Sequence, residues 1–313
     1  MRIFVLGNYM NAHFVHVEHL PSAGESLSAQ RIFQEHGGKG LNLGVGLHRL
    51  DVTVDMLMAV GRDEAGAAVK RALAEEGMRT DYFLTLGEHS GFGVGFIAPD
   101  GSNFLAAYLG ANALLSPSHV DQACAALDQA EWVMAHYEVP DAMILHAFQR
   151  ARARGISTYL NPSPWRTAAK SMLALTDVLV VNTTEAALLF DAPETANWGP
   201  REWVLHLPAR AAQIDWSGRI LVVTLAHQGC VALDVTGNTF HEAAFEIRQV
   251  DATGAGDAFG CGLIFGLLRG GSLNEALRVG NACGAYIAAR EGILVHLPRH
   301  AHVMDMLNRT MSD

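Results

Sequence analysis

No block of lysine and arginine occurs anywhere in the 313 residues, and acidic side chains outnumber basic ones, 32 to 22, for a formal net charge of -10. A chain of that sign is not expected to bind nucleic acid, and an anionic small molecule would have to be held by local groups rather than by global attraction. Cysteine pairing is missing as well. Cys124, Cys230, Cys261 and Cys283 show no CxxC spacing, and they read as small core residues of a reduced, cytosolic protein. The start of the chain lacks a charged segment followed by a long apolar one and begins directly with a strand, Ile3 to Leu6. Neither a signal peptide nor a membrane span is expected. Internal repeats and low-complexity stretches are absent too. What remains is half apolar and only 17% charged, the make-up of an ordinary soluble enzyme. At 33.7 kDa it has room for one large α/β domain with a small appended part.

Strand-like and helical runs alternate through most of the chain. Val52 to Val60 precedes a helix over Glu64 to Glu76, Trp132 to His136 precedes Asp141 to Arg154, and Val178 to Val181 precedes Thr184 to Phe190. Ser157 to Leu160 leads into a loop, Ile220 to Leu225 leads toward a hairpin, and the last third is mostly helical. Continuous apolar strands in such an order predict a mostly parallel central sheet covered by helices on both faces, with the active site at the carboxyl ends of the strands. Two segments break the pattern. His13 to Gln34 is strand-like with little helix signal, and Phe92 to Ala98 pairs with Asn103 to Leu109 across the turn Pro99-Asp100-Gly101-Ser102.

Two glycine clusters carry the chemistry. Ala252-Thr253-Gly254-Ala255-Gly256-Asp257-Ala258 follows a strand-like run, Phe245 to Val250, and the acid Asp251, and it opens a long apolar helical pattern. Gly254, Ala255 and Gly256 let free backbone amides approach an anion at a helix start, where the macrodipole also favours negative charge. Asp257 would remain ionised there and could accept a proton from an alcohol while the amides hold developing phosphoryl charge. A tight strand-to-helix turn with a first-turn carboxylate would look the same. The second cluster, Gly37-Gly38-Lys39-Gly40-Leu41-Asn42, again leads into a helical stretch, and Asn42 can both donate to and accept from hydroxyls. It is not a Walker loop, since no Ser or Thr follows the lysine and the glycine spacing is wrong.

In this order, the two clusters resemble the two signatures of the ribokinase-like (PfkB) carbohydrate kinase family. The resemblance spans nearly the whole chain through Pro21, Gly24-Glu25, Gly61-Arg62-Asp63, Gly110-Ala111-Asn112-Ala113, Asn161-Pro162, Asn182 with Glu185, Thr224 with Gly229, and Asn281 with Gly292. It implies a single ribokinase-like domain over residues 1–313, with a small β-sheet lid formed by about residues 9–36 and 90–112. It further implies an ATP-dependent kinase with Asp257 as base, the amides of Gly254 to Gly256 as anion hole, and Gly38, Lys39, Asn42, Asn112 and Glu138 as substrate contacts, with Asn11 beside them. Asn182 and Glu185 match the NxxE arrangement that organises magnesium and triphosphate, Glu185 mainly through water. A capping pair would use the same two residues. Thr224, Gly229 and Asn281 match nucleotide-side positions, although Ala226 and His227 replace the usual glycine and small hydroxyl residue, and Asn281 could equally be a polar helix residue. Asp251 and Thr253, with backbone near Arg290 and Gly292, match the loops that hold potassium. Asp251 could also serve by accepting N–H groups within the turn.

Three histidines, His13, His16 and His19, invite a metal reading. On a strand, His13 and His19 would lie about 20 Å apart and His16 would face the other way, so they line a lid edge rather than converge on zinc. The main departure from the family lies beside them. Where members carry an Asp that grips substrate hydroxyls, this chain has Ala12, and Met10 stands two residues earlier. Asn11 is adjacent but would face the opposite way. Half of the sugar clamp is missing, while Phe92, Val94, Phe96, Phe104, Leu105 and Tyr108 make the lid hairpin apolar on more than one face. An apolar outer face calls for a partner, which suggests a lid-to-lid homodimer. The expected acceptor is a small, unphosphorylated sugar or sugar-like alcohol, because the stretch from Glu88 to Asn112 holds no Lys or Arg to pair a phosphate. The alternatives are a nucleoside kinase of the same family, suited by the aromatic lid, and a sugar-binding regulatory protein with weak turnover.

Overall fold

The computed structural model describes residues 1–99 and 103–309. Thirteen strands occur among them: β1 Arg2–Leu6, β2 Met10–His16, β3 Arg31–Gly37, β4 Thr53–Val60, β5 Phe83–Thr85, β6 Gly91–Ile97, β7 Asn103–Tyr108, β8 Trp132–His136, β9 Ser157–Asn161, β10 Val178–Asn182, β11 Ile220–Thr224, β12 Cys230–Asp234 and β13 Thr239–Glu242. Nine of these described strands build one sheet in the order β13-β12-β11-β10-β9-β8-β1-β4-β5. From β5 to β11 every pairing is parallel, and β12 and β13 add an antiparallel edge.

Alternation along the strands explains the layers. Side chains on a strand point to opposite faces in turn, so Ile3 and Val5 enter one core and Phe4 and Leu6 the other. Val178 and Val180 separate from Leu179 and Val181 in the same way. The first core is closed by the helices Lys39–Arg49, Ala255–Leu268 and Leu273–Ala288, through residues such as Leu43, Phe259 and Leu277. The second is closed by Asp141–Ala153 and Pro200–Gln213, through Met143, Phe148 and Trp203. Each fully buried aromatic or aliphatic side chain contributes about 1.5–3 kcal/mol, so a sheet buried on both sides is the stable solution for such runs. No helix among the described residues is long and apolar enough to cross a membrane.

The remaining strands form a separate four-stranded sheet in the order β3-β2-β6-β7. β2 and β6 run parallel, while β3 and β7 pair antiparallel to them at the edges. The run from His13 to Gln34 therefore divides into two strands joined by an irregular stretch, and the second hairpin sits where its sequence places it. Of its turn, Asp100 to Ser102 lie outside the described residues. One expected strand is absent from both sheets: Phe245 to Val250 makes no ladder. Its apolar spacing imitates a strand, but Val250 instead donates its amide to Ala288 O at the end of a helix (2.8 Å).

Candidate active site

The carboxyl ends of β1 and β8 meet the glycine cluster that follows β3. Asn8, just beyond β1, is fully buried and works in two directions: its Oδ1 accepts the Gly40 amide (2.9 Å) and its Nδ2 donates to Glu138 Oε2 (2.8 Å). The same Glu138 oxygen accepts the Lys39 amide (2.8 Å). Gly38 adopts φ 116°, and a Cβ there would stand 2.7 Å from Asn8 O, so only glycine suits the position. His136, at the end of β8, fixes Glu138 in turn. Its Nδ1 accepts the Glu138 amide (3.0 Å) and its Nε2 donates to Leu6 O (3.0 Å), which sets a neutral tautomer. Burial drives the imidazole pKa down to about 3, against the pull of the Asp257 carboxylate.

Onto this frame the second glycine cluster delivers Asp257. The helix Ala255–Leu268 places it in its first turn, 6% exposed. Its Oδ2 accepts Asn42 Nδ2 (2.8 Å), and its Oδ1 lies 3.6 Å from Lys39 Nζ. Burial works against the lysine charge, yet the carboxylates of Asp257, Glu138 and Glu185 hold the ammonium above the ordinary lysine range. Asn42 Oδ1 is buried without a hydrogen-bond partner. An orphaned acceptor of this kind costs about 1–3 kcal/mol.

At the helix start Gly256 is exposed, and an ideal Cβ on it meets nothing within 4 Å. Among the described residues no acceptor takes the amides of Gly254 or Gly256. The Ala255 amide is different, since it is already given to Ala252 O (3.1 Å). Of the three amides implied for an anion hole, that of Ala255 therefore closes the turn, and those of its glycine neighbours are left without an acceptor among the described residues.

The nucleotide-side candidates gather at the ends of β10, β11 and β12. Asn182 and Glu185 form a capping box, Asn182 N donating to Glu185 Oε2 (2.9 Å) and Glu185 N to Asn182 Oδ1 (2.8 Å). Thr224 lies beside Asn182 in register. Gly229 takes φ 91°, and a Cβ there would stand 2.0 Å from Glu242 O. Asn281 donates its amide to Glu242 O and Ala243 O, both at 3.0 Å. Its donors thus hold the chain leaving β13, which explains how Phe245 to Val250 stays irregular with its start fixed.

Around the loop implied for potassium, Asp251 Oδ1 accepts from Thr253 N (2.9 Å) and Oγ1 (2.7 Å), while the amides of Val250 and Asp251 both reach Ala288 O. The Arg290 guanidinium lies 3.5 Å from the Tyr286 ring centroid. Gly292 faces the lid, with Phe33 and Glu35 beside it. Two further candidates are engaged by other parts of the chain. Asn11 shares its side of the sheet with Phe92 and Tyr108, accepts from Gln34 Nε2 (2.9 Å), and lines an outer recess with Asp63 and His89; it points away from Asp257. Asn112 spends its amide on the hinge, accepting Tyr9 N (3.0 Å) and donating to Tyr9 O (2.7 Å) and Leu109 O (2.9 Å). His13 stacks near Phe92 and His19 pairs with Glu25 (2.8 Å), so the histidines do not converge.

Residues that the motif reading missed are Asn8, His136 and Glu35. Each is a polar residue at a strand end or on a strand that also carries apolar side chains, and that position was the available signal.

A doubly covered, mostly parallel sheet with a buried acid at a glycine-rich helix start and a β lid over it defines a phosphotransferase with an alcohol group as acceptor. The pfkB family carbohydrate kinase model matches residues 2–298, and the chain belongs to that family. It is 29% identical over 306 residues to the ribokinase of Haemophilus influenzae, covering 97% of each chain. It is also 31% identical over 266 residues to the deoxyribokinase of Salmonella typhi, covering 83% of this chain and 84% of that one. The structure of Arabidopsis thaliana ribokinase complexed with ribose and ATP shares its fold with a TM-score of 0.88 at 23% identity, over 97% of this chain and 98% of that one.

Proposed function

We propose that this chain is an ATP-dependent kinase that transfers the γ-phosphoryl group to a hydroxyl of a small, uncharged sugar or sugar-like alcohol. The observation that carries the reading is the triad of Asp257, Lys39 and Asn42, with the orphaned Asn42 Oδ1 beside the carboxylate. An acceptor hydroxyl donating to Asp257 is oriented for attack, and the charge that develops on the transferred group faces Lys39 and the free amides of Gly254 and Gly256. Most of the rate enhancement then comes from positioning and electrostatics.

ATP fits the open helix start, and Thr224, Gly229 and Asn281 border the nucleotide side. Glu185 and Asn182 would hold a magnesium ion, which would supply charge neutralisation on the triphosphate. Potassium belongs at the loop of Asp251, Thr253, Arg290 and Gly292. Equal rates in potassium, sodium and a bulky organic cation at one ionic strength would remove potassium from this account.

The preference for an uncharged acceptor rests on the lid. Its only cation, Arg31, is spent on Glu291 (3.0 Å), and the inward positions Met10 and Ala12 offer no charge. Ribose is a poor acceptor on this reading, because a hydrogen bond to a carboxylate, worth roughly 1.5–3 kcal/mol, is absent at Ala12. The outer lid face leaves Ile32 66%, Phe104 60% and Tyr108 59% exposed, which favours a homodimer through the lids. ADP release measured across pentoses, hexoses, polyols, nucleosides and their monophosphates tests the assignment. Neutral acceptors should lead in kcat/KM. A monophosphate as best substrate would overturn the acceptor class, and no turnover with any acceptor would favour the weak-turnover binder.

A further inference from the structure

The lid touches the body at one half-buried carboxylate that the reaction chemistry above does not use. In β3, Glu35 stands directly opposite Ala12 of β2, so both are on the same side of the lid sheet. That side faces the body. The opposite side carries the exposed Ile32, Phe92, Phe104 and Tyr108. Glu35 Oε2 accepts the Ile293 amide at 2.9 Å, and the Leu294 amide is also within the carboxylate's reach. Phe33 closes on the neighbouring Gly292, where a Cβ would meet its ring at 3.3 Å.

Ile293 links this contact to the chemistry. Its side chain is packed so tightly on Gly254 that a Cβ there would stand 2.5 Å from Ile293 Cγ2. Gly254 caps the helix that carries Asp257. A continuous path therefore runs from the lid carboxylate through the Ile293 amide and side chain to the first residue of the anion hole. An ion pair also joins lid and body, Arg31 with Glu291, but it is exposed on both sides and contributes little.

We propose that Glu35 is a positioning residue that latches the closed lid onto the amides of Ile293 and Leu294 and, through Ile293, holds Gly254 in the geometry of the anion hole. The carboxylate of the lid binds protein here, not acceptor, so closure does not depend on a hydroxyl at the Ala12 position. The proposal rests on the kinase reading for its kinetic consequence but not for its structural one, and two measurements keep them apart.

Amide hydrogen exchange on the full chain without ligand reads the coupling itself. Glu35→Ala should speed exchange at least about fivefold both in residues 31–37 and in residues 255–261, where the Ala255 amide is held by Ala252 O and the Ala258 amide by Gly254 O, whereas Ile293→Ala should do so in residues 255–261 while leaving residues 31–37 protected. Unchanged exchange at 255–261 in Glu35→Ala overturns the proposal. Steady-state kinetics reads the consequence. The same variant should lose about tenfold in kcat with KM for ATP within about twofold, and the Glu35→Ala/Ile293→Ala double variant should be no slower than the slower single variant. Multiplying losses would mean two independent contacts and would also overturn it. Should Glu35→Ala not fold, Glu35→Gln, which keeps the size and one acceptor oxygen, must show smaller changes in the same direction, and wild-type exchange and kcat in that variant count against the latch. A wild-type chain that forms no ADP with any acceptor defeats the kinase reading instead, and the exchange result still decides the latch.

Discussion

The half of the site proposed to hold the acceptor and the half proposed to hold the nucleotide are built on different plans. Around the acceptor, side chains from β1, β8 and two glycine-led helices lock one another: Asn8 to Gly40 and Glu138, His136 to Glu138, Asn42 to Asp257. Each link spans more than 30 residues except His136 to Glu138. On the nucleotide half no carboxylate is shared between distant segments: Asn182 and Glu185 cap one helix locally, Gly229 presses on Glu242 O, and the long-range side-chain bonds of Asn281 end on backbone carbonyls. The difference teaches where specificity resides. A network of long-range charged hydrogen bonds holds one geometry, whereas locally satisfied backbone accepts a common ligand shape.

The sharpest way to break the comparison is Asp257→Asn, which keeps the size and removes the proton acceptor. Turnover should fall by about two to four orders of magnitude, and retention of more than about a tenth of wild-type turnover would mean that another group is the base. A paired experiment comes next. Asn8→Ala leaves the buried Gly40 amide unsatisfied, a loss of about 1–3 kcal/mol, and should raise KM for the acceptor about ten- to a hundredfold with KM for ATP nearly unchanged. Gly229→Ala forces a methyl against Glu242 O and should do the reverse. If either variant moved both constants equally, the two halves would not be separate.

The smallest expected effect concerns pH. His136 is neutral in the fold with its pKa held near 3, while in the unfolded chain it titrates near 6.5. The unfolded state therefore binds the extra proton as pH falls, so this histidine's stabilising share is intact above about pH 6.5 and is lost toward pH 3. At about 1.4 kcal/mol for each pH unit, it costs about 2 kcal/mol between pH 6.5 and 5. Denaturant midpoints at those two pH values check the sign. Greater stability at pH 5 than at pH 6.5 would show that the imidazole is not held neutral.

Most of the body was legible because its strands are apolar runs in a fixed alternation, which only a sheet covered on both faces can bury. Asp257, Lys39 and Asn42 were legible because glycine must sit where a backbone approaches a helix start closely. Asn8 and His136 were not, since a buried asparagine or histidine looks like a loop residue until the chain positions 130 residues away are brought against it. The bonds that Asn112 makes to Tyr9 were not legible for a related reason. Its amide imitates a main-chain hydrogen-bond partner for Tyr9, and nothing in its immediate neighbours distinguishes that use from an outward-facing one. Phe245 to Val250 carries strand-like spacing, but its last amide goes to Ala288 O at a helix end rather than to a neighbouring strand, so periodicity alone misassigned it.

The parallel seam between β2 and β6 has a consequence for how such proteins can be altered. Neither hairpin of the lid is a stable object alone, since an isolated pair of strands is marginal in water, and the seam from Met10 with Gly91 to His16 with Ile97 forms only when both are anchored in the body. The lid is thus one surface written in two distant stretches of the gene. Transplanting acceptor preference from a relative requires exchanging both stretches together. A graft of either one alone would bring a foreign strand to the seam and spoil the side-chain matching along its whole length.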